Sequence, residues 1–347
     1  MKALVLTAYG QLVLQDVPPP QIGPDEVLVA VKACGICGSD VHGMDGSTGR
    51  RRPPIIMGHE AAGVIAQAGP QVTGWTPGER VTFDSTIYCG QCGFCRAGDT
   101  HLCDHRRVLG VSCEDYRQAG AFADYVAVPQ RILYRLPASL SFTQAALVEP
   151  TTVAVHAVRR TPVRLHDTAV VVGAGMIGLL ALQALRLSGC TRLIAVDVAP
   201  DRLALAEKLG ATDLVNAAAG DPVAQIMRLT NGRGVDLALE AVGLGATVDT
   251  ALRCVRKGGA VTLVGNVTPQ VQLPLQTVVS RELTVYGSCA SRGDYPACLD
   301  LMARGAINVL PLISAVAPLA QGAAWFQRLY AREPGLLKVV LTPGEAA

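Results

Sequence analysis

The chain has 347 residues, 50% of them hydrophobic, and carries a formal net charge of +2. That length exceeds what one core usually serves and allows two domains. The near-neutral balance excludes an electrostatic commitment to nucleic acid or to an anionic membrane. Aromatics make up only 4%, so the abundant Gly and Ala point to close-packed α/β layers and not to a stacking surface.

The N-terminal stretch MKALVLTAYGQLVLQD has one lysine and a very short apolar run, so it reads as a strand and not as a signal peptide. The expected location is the cytoplasm.

Two segments then bring metal-binding side chains close together: ACGICGSDVHG, residues 33–43, and PPIIMGHEAAGVIAQAGPQV, residues 53–72. Cys37 offers a thiolate, His59 an imidazole and Glu60 a carboxylate. Three protein ligands of mixed type leave a fourth position open, which is what a catalytic zinc requires. Taken singly, each has a plainer reading: Cys34 or Cys37 as a small buried hydrophobe, His59 as a satisfied core histidine. Ser39 and His42, placed just after Cys37, favour reading the set jointly. Arg50, Arg51 and Arg52 precede the GHE segment. They either hold a phosphate or carboxylate near a substrate mouth or form a solvated basic loop.

The loop CGQCGFCRAGDTHLC carries Cys89, Cys92, Cys95 and Cys103. Disulfides are disfavoured in the cytoplasm, and the chain's 11 cysteines are an odd number. Gly90, Gly93 and Gly98 let the backbone turn so that four thiolates converge. Four sulfurs at tetrahedral geometry make a closed, structural zinc site. An iron–sulfur cluster uses similar ligands at different spacings.

Next comes TAVVVGAGMIGLLALQALRLSGCTRLIAVD, residues 168–197. A β-branched run leads into Gly173-x-Gly175-x-x-Gly178 and an apolar helical pattern. The first glycine permits the tight turn, the second lets backbone approach a pyrophosphate, and the third lets helix pack on strand. Phosphates then sit at a helix N-terminus, where free amides and the dipole favour negative charge. The apolar segment Ala169–Leu182 is too short for a membrane span of about 18 residues and is broken by glycines. A second strand ends at Asp197, whose carboxylate suits the adenosine ribose hydroxyls and repels the extra phosphate of NADP, so NAD is expected. Arg202 nearby is expected over the adenine or paired with Asp197, although an arginine there also suits a 2′-phosphate. Helical and strand patterns alternate as far as AVTLVGN, the signature of a doubly wound sheet.

These regions, in this order, resemble the zinc-containing medium-chain dehydrogenases over essentially the full chain, and most closely the polyol (sorbitol-type) and threonine dehydrogenase branch. The resemblance rests on GICGSDVH, GHEAAGVIAQAG, the four-cysteine lobe, VEPTTVAVHAV from Val148, and VVGAGMIGLLA. It implies an α/β protein: a GroES-like β-rich catalytic domain of residues 1–150, completed by 288–347, around a Rossmann domain of residues 151–287. It implies Zn2+ at two sites per chain, one on Cys37, His59 and Glu60 and one on Cys89, Cys92, Cys95 and Cys103. Glu149 stands where classical alcohol dehydrogenases have a second zinc thiolate, and is either a further ligand or reaches the metal through water. Met176, Ile177, Val242, Val264, Gly265, Asn266, Ser288 and Cys289 are implied to line the NAD site with the glycines and Asp197.

The implied reaction moves hydride from a secondary alcohol to NAD and gives a ketone. Ser39 accepts the hydroxyl proton and His42 hands it to solvent. The partners implied are a small alcohol, polyol or diol and other copies of the chain, as a dimer or tetramer, with no nucleic acid and no membrane. Sorbitol dehydrogenases commonly carry an aromatic-Arg-Tyr run where this chain has Ser288 to Ser291, so their polyol contacts do not transfer. Phosphorylated polyols and threonine stay open as substrates. A non-catalytic NAD-binding structural protein has no reason to keep Cys37, His59 and Glu60.

Overall fold

The strand Glu26–Gly35 buries Val27, Val29 and Val31 on one face and carries the chain to Cys37. It pairs antiparallel with Glu60–Ala68, in a register that sets Cys34 opposite Ala61 and Gly35 opposite Glu60. Its other edge pairs with Lys338–Thr342, Gly35 facing Val340. Segments far apart in sequence therefore meet at one strand end. In the computed structural model, which describes residues 1–344, these strands belong to a seven-stranded sheet. A three-stranded sheet is formed by Gln11–Asp16, Lys2–Ala8 and Ile55–Ile56. Leu4, Leu6, Ile65, Phe83, Phe122, Phe326 and Leu341 share the core of this β-rich unit. Phe122 and Phe326 meet edge to face with ring centroids 5.6 Å apart, the arrangement their ring quadrupoles prefer.

This unit comprises Met1–Glu149, Tyr295–Gly305 and the chain from Val309 on. The second unit comprises Pro150–Asp294 and Ala306–Asn308. Ser288–Asp294 thus pack with the second unit, although the sequence reading assigns them to the first. The Ser288 amide donates to Leu263 O, and the buried Asp294 carboxylate pairs with His156 and Arg159.

The second unit holds a six-stranded sheet in the order Asp213–Asn216, Arg192–Asp197, Thr168–Val172, Val235–Glu240, Val255–Leu263, Thr284–Gly287. Every neighbouring pair is parallel. Numbered along the chain that order is third, second, first, fourth, fifth, sixth, the doubly wound arrangement expected from sequence. Its central strands are buried along nearly their whole length, because helices cover both faces of such sheets. The apolar run Ala169–Leu182 divides into a strand, a glycine turn and the helix Met176–Leu187. Among the described residues, no helix is long and apolar enough to cross a membrane.

Candidate metal centres and cofactor site

The four lobe cysteines bring their sulfurs within 4.8 Å of one another. Cys89 Sγ and Cys95 Sγ stand 4.0 Å apart, far beyond a disulfide bond and close to the ~3.8 Å that zinc–sulfur bonds of about 2.3 Å impose on a tetrahedron. The short helix Gly93–Arg96 begins at Cys92, whose sulfur accepts from the Cys95 amide. Cys103 Sγ accepts from the Cys89 and His105 amides. Backbone amides of Gln91 and Cys92 pull the Cys89 thiol down to about 6. Burial and the neighbouring sulfurs push Cys95 up to about 12. Four sulfurs this close together suit a cation between them, and zinc fits this set.

Cys37, His59 and Glu60 form the second cluster, their ligand atoms also within 4.8 Å of one another. Cys37 precedes the helix Gly38–Gly43, and His59 immediately precedes the strand Glu60–Ala68, which Glu60 opens. Gly58 turns the chain into His59 at φ +93°, with Cys34 Sγ and the Phe122 backbone 2.9 Å from where a Cβ would stand. No side chain fits there, and the positive φ favours glycine in any case.

Charges surround this cluster. His59 Nδ1 lies 3.4 Å from Asp40 Oδ2, both groups buried, which leaves Nε2 to face a metal. A carboxylate behind a metal-binding histidine fixes ring orientation and tautomer. Burial opposes a charged imidazole, but Asp40 and Cys37 outweigh it and raise the His59 pKa well above its ordinary value. A site that so favours a proton between thiolate and carboxylate also suits a divalent cation. Lys338 Nζ, buried, donates to Ile36 O at 2.9 Å and to Glu60 Oε1 and Oε2 at 2.8 and 2.6 Å. Burial works against the Lys338 charge, and Glu60 more than restores it, so its pKa is raised.

Glu149 does not join the 4.8 Å cluster. Its Oε1 accepts from the Ser85 hydroxyl at 3.0 Å, and burial raises its pKa. The neighbouring Asp84 carboxyl is pushed up to about 7, also by burial. Ser39 and His42 are exposed on the helix Gly38–Gly43, while Asp40 on its other side is buried. Residues three apart on a helix share a face, so the two relay candidates stand together.

The arginine run departs from both of its sequence readings at its centre. Arg51 is neither an anion site nor part of a solvated loop: it is buried and ion-paired with Asp40 at 2.9 Å. Arg50 is exposed, and Arg52, half exposed, lies 3.9 Å from Glu114. Sequence reasoning also missed Lys338 and Ser85. A lone lysine inside GLLKVVLTP was the available signal, since a cation in an apolar strand demands a buried partner.

In the second unit the glycine loop follows the strand Thr168–Val172. A Cβ on Gly178 would stand 1.8 Å from Gly173 O, so only glycine lets this helix meet the turn. The helix Met176–Leu187 starts from Gly175, putting Met176 and Ile177 in its first turn. Asp197 Oδ2 accepts from the Ala174 amide at 2.7 Å and Oδ1 from Ala199 at 2.9 Å. Arg202 does not pair with Asp197; its Nη1 lies 3.3 Å from the point where a Gly175 Cβ would be. Val242, Val264, Gly265 and Asn266 follow the carboxyl ends of the strands Val235–Glu240 and Val255–Leu263, and Ser288 and Cys289 follow Thr284–Gly287. Ligands bind parallel sheets at that edge, and the bare backbone of the loop fits a dinucleotide pyrophosphate.

Two family models match the chain. The alcohol dehydrogenase GroES-like domain covers residues 23–138, and the zinc-binding dehydrogenase model covers residues 177–304. A sorbitol dehydrogenase of Bacillus subtilis strain 168 is 35% identical over 99% of this chain and 97% of its own. The structure of a zinc-binding dehydrogenase from Sinorhizobium meliloti 1021, bound to NADP, superposes with a TM-score of 0.89 at 33% identity, covering 99% of both chains. That of 2R,3R-butanediol dehydrogenase from Bacillus subtilis gives a TM-score of 0.88 at 31% identity, again covering 99% of both.

Proposed function

The chain belongs to the zinc-binding dehydrogenase family, and on that premise we propose that it oxidises a secondary alcohol of a polyol or vicinal diol to a ketone with NAD. The convergence of Cys37, His59 and Glu60 within 4.8 Å carries the reading. These three residues would hold the catalytic zinc, and Glu149, which accepts from the Ser85 hydroxyl, would meet it through water. Cys89, Cys92, Cys95 and Cys103 hold a second, structural zinc. When bound, the catalytic zinc acts as a Lewis acid that brings a hydroxyl from a pKa of about 16 toward neutrality.

The chain's own groups do the rest. Ser39 accepts the substrate hydroxyl proton, and His42, exposed one helical turn away, releases it to water. Lys338 gives Glu60 a buried counter-charge, and Asp40 stands behind the His59 ring. Gly173, Gly175 and Gly178, with Met176 and Ile177, cradle the cofactor pyrophosphate at the helix N-terminus. Asp197 takes the ribose, and Arg202 lies over the adenine. Val242, Val264, Gly265, Asn266, Ser288 and Cys289 line the remainder of that site. NAD, when bound, takes up the hydride.

The relatives named for sorbitol and butanediol oxidation support a polyol or diol substrate. A phosphorylated polyol keeps only Arg50 and Arg52 of the arginine run in its support, because Arg51 is committed to Asp40. A reducing cytoplasm suits eleven cysteines with no disulfide among the described residues. Exposed Leu275 and Val279, on the helix before the edge strand Thr284–Gly287, support assembly into a homo-oligomer, which light scattering tests.

A panel of polyols, diols, phosphorylated polyols and threonine, each offered with NAD and with NADP, tests the reading by cofactor reduction. Fastest turnover is expected for a polyol or diol with NAD, and Asp197→Ala should narrow the cofactor preference. Faster reduction of NADP by the unmodified protein would overturn the role given to Asp197, and turnover of threonine alone would overturn the substrate class.

A further inference from the structure

Arg51 is an arginine where burial is expensive, and each of its three guanidinium nitrogens donates a hydrogen bond. Transferring a guanidinium out of water is tolerated only when its hydrogen bonds are remade. Nε and Nη2 both donate to Asp40 Oδ1, at 3.1 and 2.9 Å, and Nη1 donates to Arg50 O at 3.1 Å. Nη2 also reaches Ser39 Oγ at 3.3 Å. The two Asp40 oxygens are thereby divided, Oδ1 to Arg51 and Oδ2 to the His59 ring.

The surroundings are shaped for this seat. The Arg51 backbone bridges to Ser112, with the Arg52 amide donating to Ser112 O at 2.9 Å and the Ser112 amide to Arg50 O at 3.2 Å. The stem passes over Gly43, where a Cβ would stand 2.3 Å from Arg51 Cγ. Only a residue without a side chain lets the arginine cross the helix and reach Asp40.

We infer that Arg51 is a positioning residue that fixes, through Asp40, the orientation of the metal-facing His59 while holding the Ser39 hydroxyl of the proton relay. The inference rests on the proposed catalytic zinc at Cys37, His59 and Glu60. A planar fork serves Asp40 and Ser39 together, whereas a lysine ammonium supplies charge from one point. Arg51 therefore ties ligand geometry to proton transfer, and exchanging it for lysine should separate the two.

The test compares the full-length protein with Arg51→Gln and Arg51→Lys, each loaded with metal. Zinc release into a chromophoric chelator, the visible spectrum of the cobalt-substituted protein, and kcat and KM are read for each. Loss of such an outer partner typically costs roughly 10- to 100-fold in metal affinity or activity. Arg51→Gln should release the catalytic zinc faster by about that factor, with an altered cobalt spectrum. Arg51→Lys should recover most of the zinc retention yet keep a lowered kcat at little-changed KM, because the Ser39 contact is not remade. Should Arg51→Gln not accumulate as folded protein, Arg51→Lys carries the test alone through its cobalt spectrum and its split of kcat from KM.

A lowered melting temperature with zinc release, cobalt spectrum and kcat per folded molecule unchanged would overturn the inference. His59→Ala, run in parallel, separates the two levels. If it keeps two zincs, the catalytic-zinc reading fails; if it loses one while the Arg51 variants behave as the unmodified protein, only the present inference fails.

Discussion

The cysteine lobe and the Cys37–His59–Glu60 cluster are both candidate metal centres, yet they are built in opposite ways. The lobe draws every ligand from one short loop, and its supporting partners are backbone amides of that same loop. The other cluster takes ligands from two segments and its supporting charges from Asp40, Arg51 and Lys338. A closed four-thiolate site needs only convergence. An open site must hold a cation with fewer ligands and leave room for a substrate, so it recruits a surrounding cast of charges.

The sharpest way to break this contrast is to remove one ligand from the open site. His59→Ala should lower turnover by several orders of magnitude, because an alcohol near pKa 16 then has no means of ionising at neutral pH. Zinc should fall from two toward one per chain by elemental analysis, with NAD binding by titration calorimetry unchanged. Two retained zincs and near-normal hydride transfer would place the chemistry elsewhere. Ser39→Ala should cost less, roughly 10²–10⁴-fold in kcat, with both zincs in place; an unaltered single-turnover rate would remove Ser39 from the relay.

Lys338→Met probes the supporting charges. Stripping one partner from a buried pair typically destabilises by about 3–5 kcal/mol, so denaturant unfolding of the chelator-treated protein should show a loss of that order. Indifference would mean that Glu60 finds another partner. Cys95→Ser should have the mildest effect on chemistry, since a closed site contributes folding free energy. The melting temperature should drop while folded protein keeps part of its activity. Complete loss of turnover at an unchanged melting temperature and quaternary state would erase the distinction between the two centres.

Much of this architecture is legible in the sequence because its signals are local. The glycine loop lies between one strand and one helix, so spacing alone places it, and the alternation after it yields the parallel sheet. Cys37, His59 and Glu60 were readable for the same reason, each sitting in a short recognisable run. What the sequence hides is long-range pairing. Lys338 meets Glu60 across 278 residues, and nothing near either one announces the other. Arg51 sat in a run of three arginines that looked solvated, and only the bare face of Gly43 lets one of them turn inward. Of the two places expected for Arg202, pairing with Asp197 is not found: its guanidinium lies beside Gly175, and the Asp197 oxygens accept from the Ala174 and Ala199 amides.

The placement of Lys338 makes this site wait for a segment synthesised 278 residues after Glu60. Both ligand segments, the lobe and the glycine loop leave the ribosome before the strand Lys338–Thr342. Until it arrives, Glu60 lacks its buried counter-charge and the strand Glu26–Gly35 has an open edge at Cys34 and Gly35. A product of premature termination would carry every recognisable motif and still be unable to close this site. Such a chain would present an unpaired strand edge, the kind of surface that invites aggregation and chaperone binding.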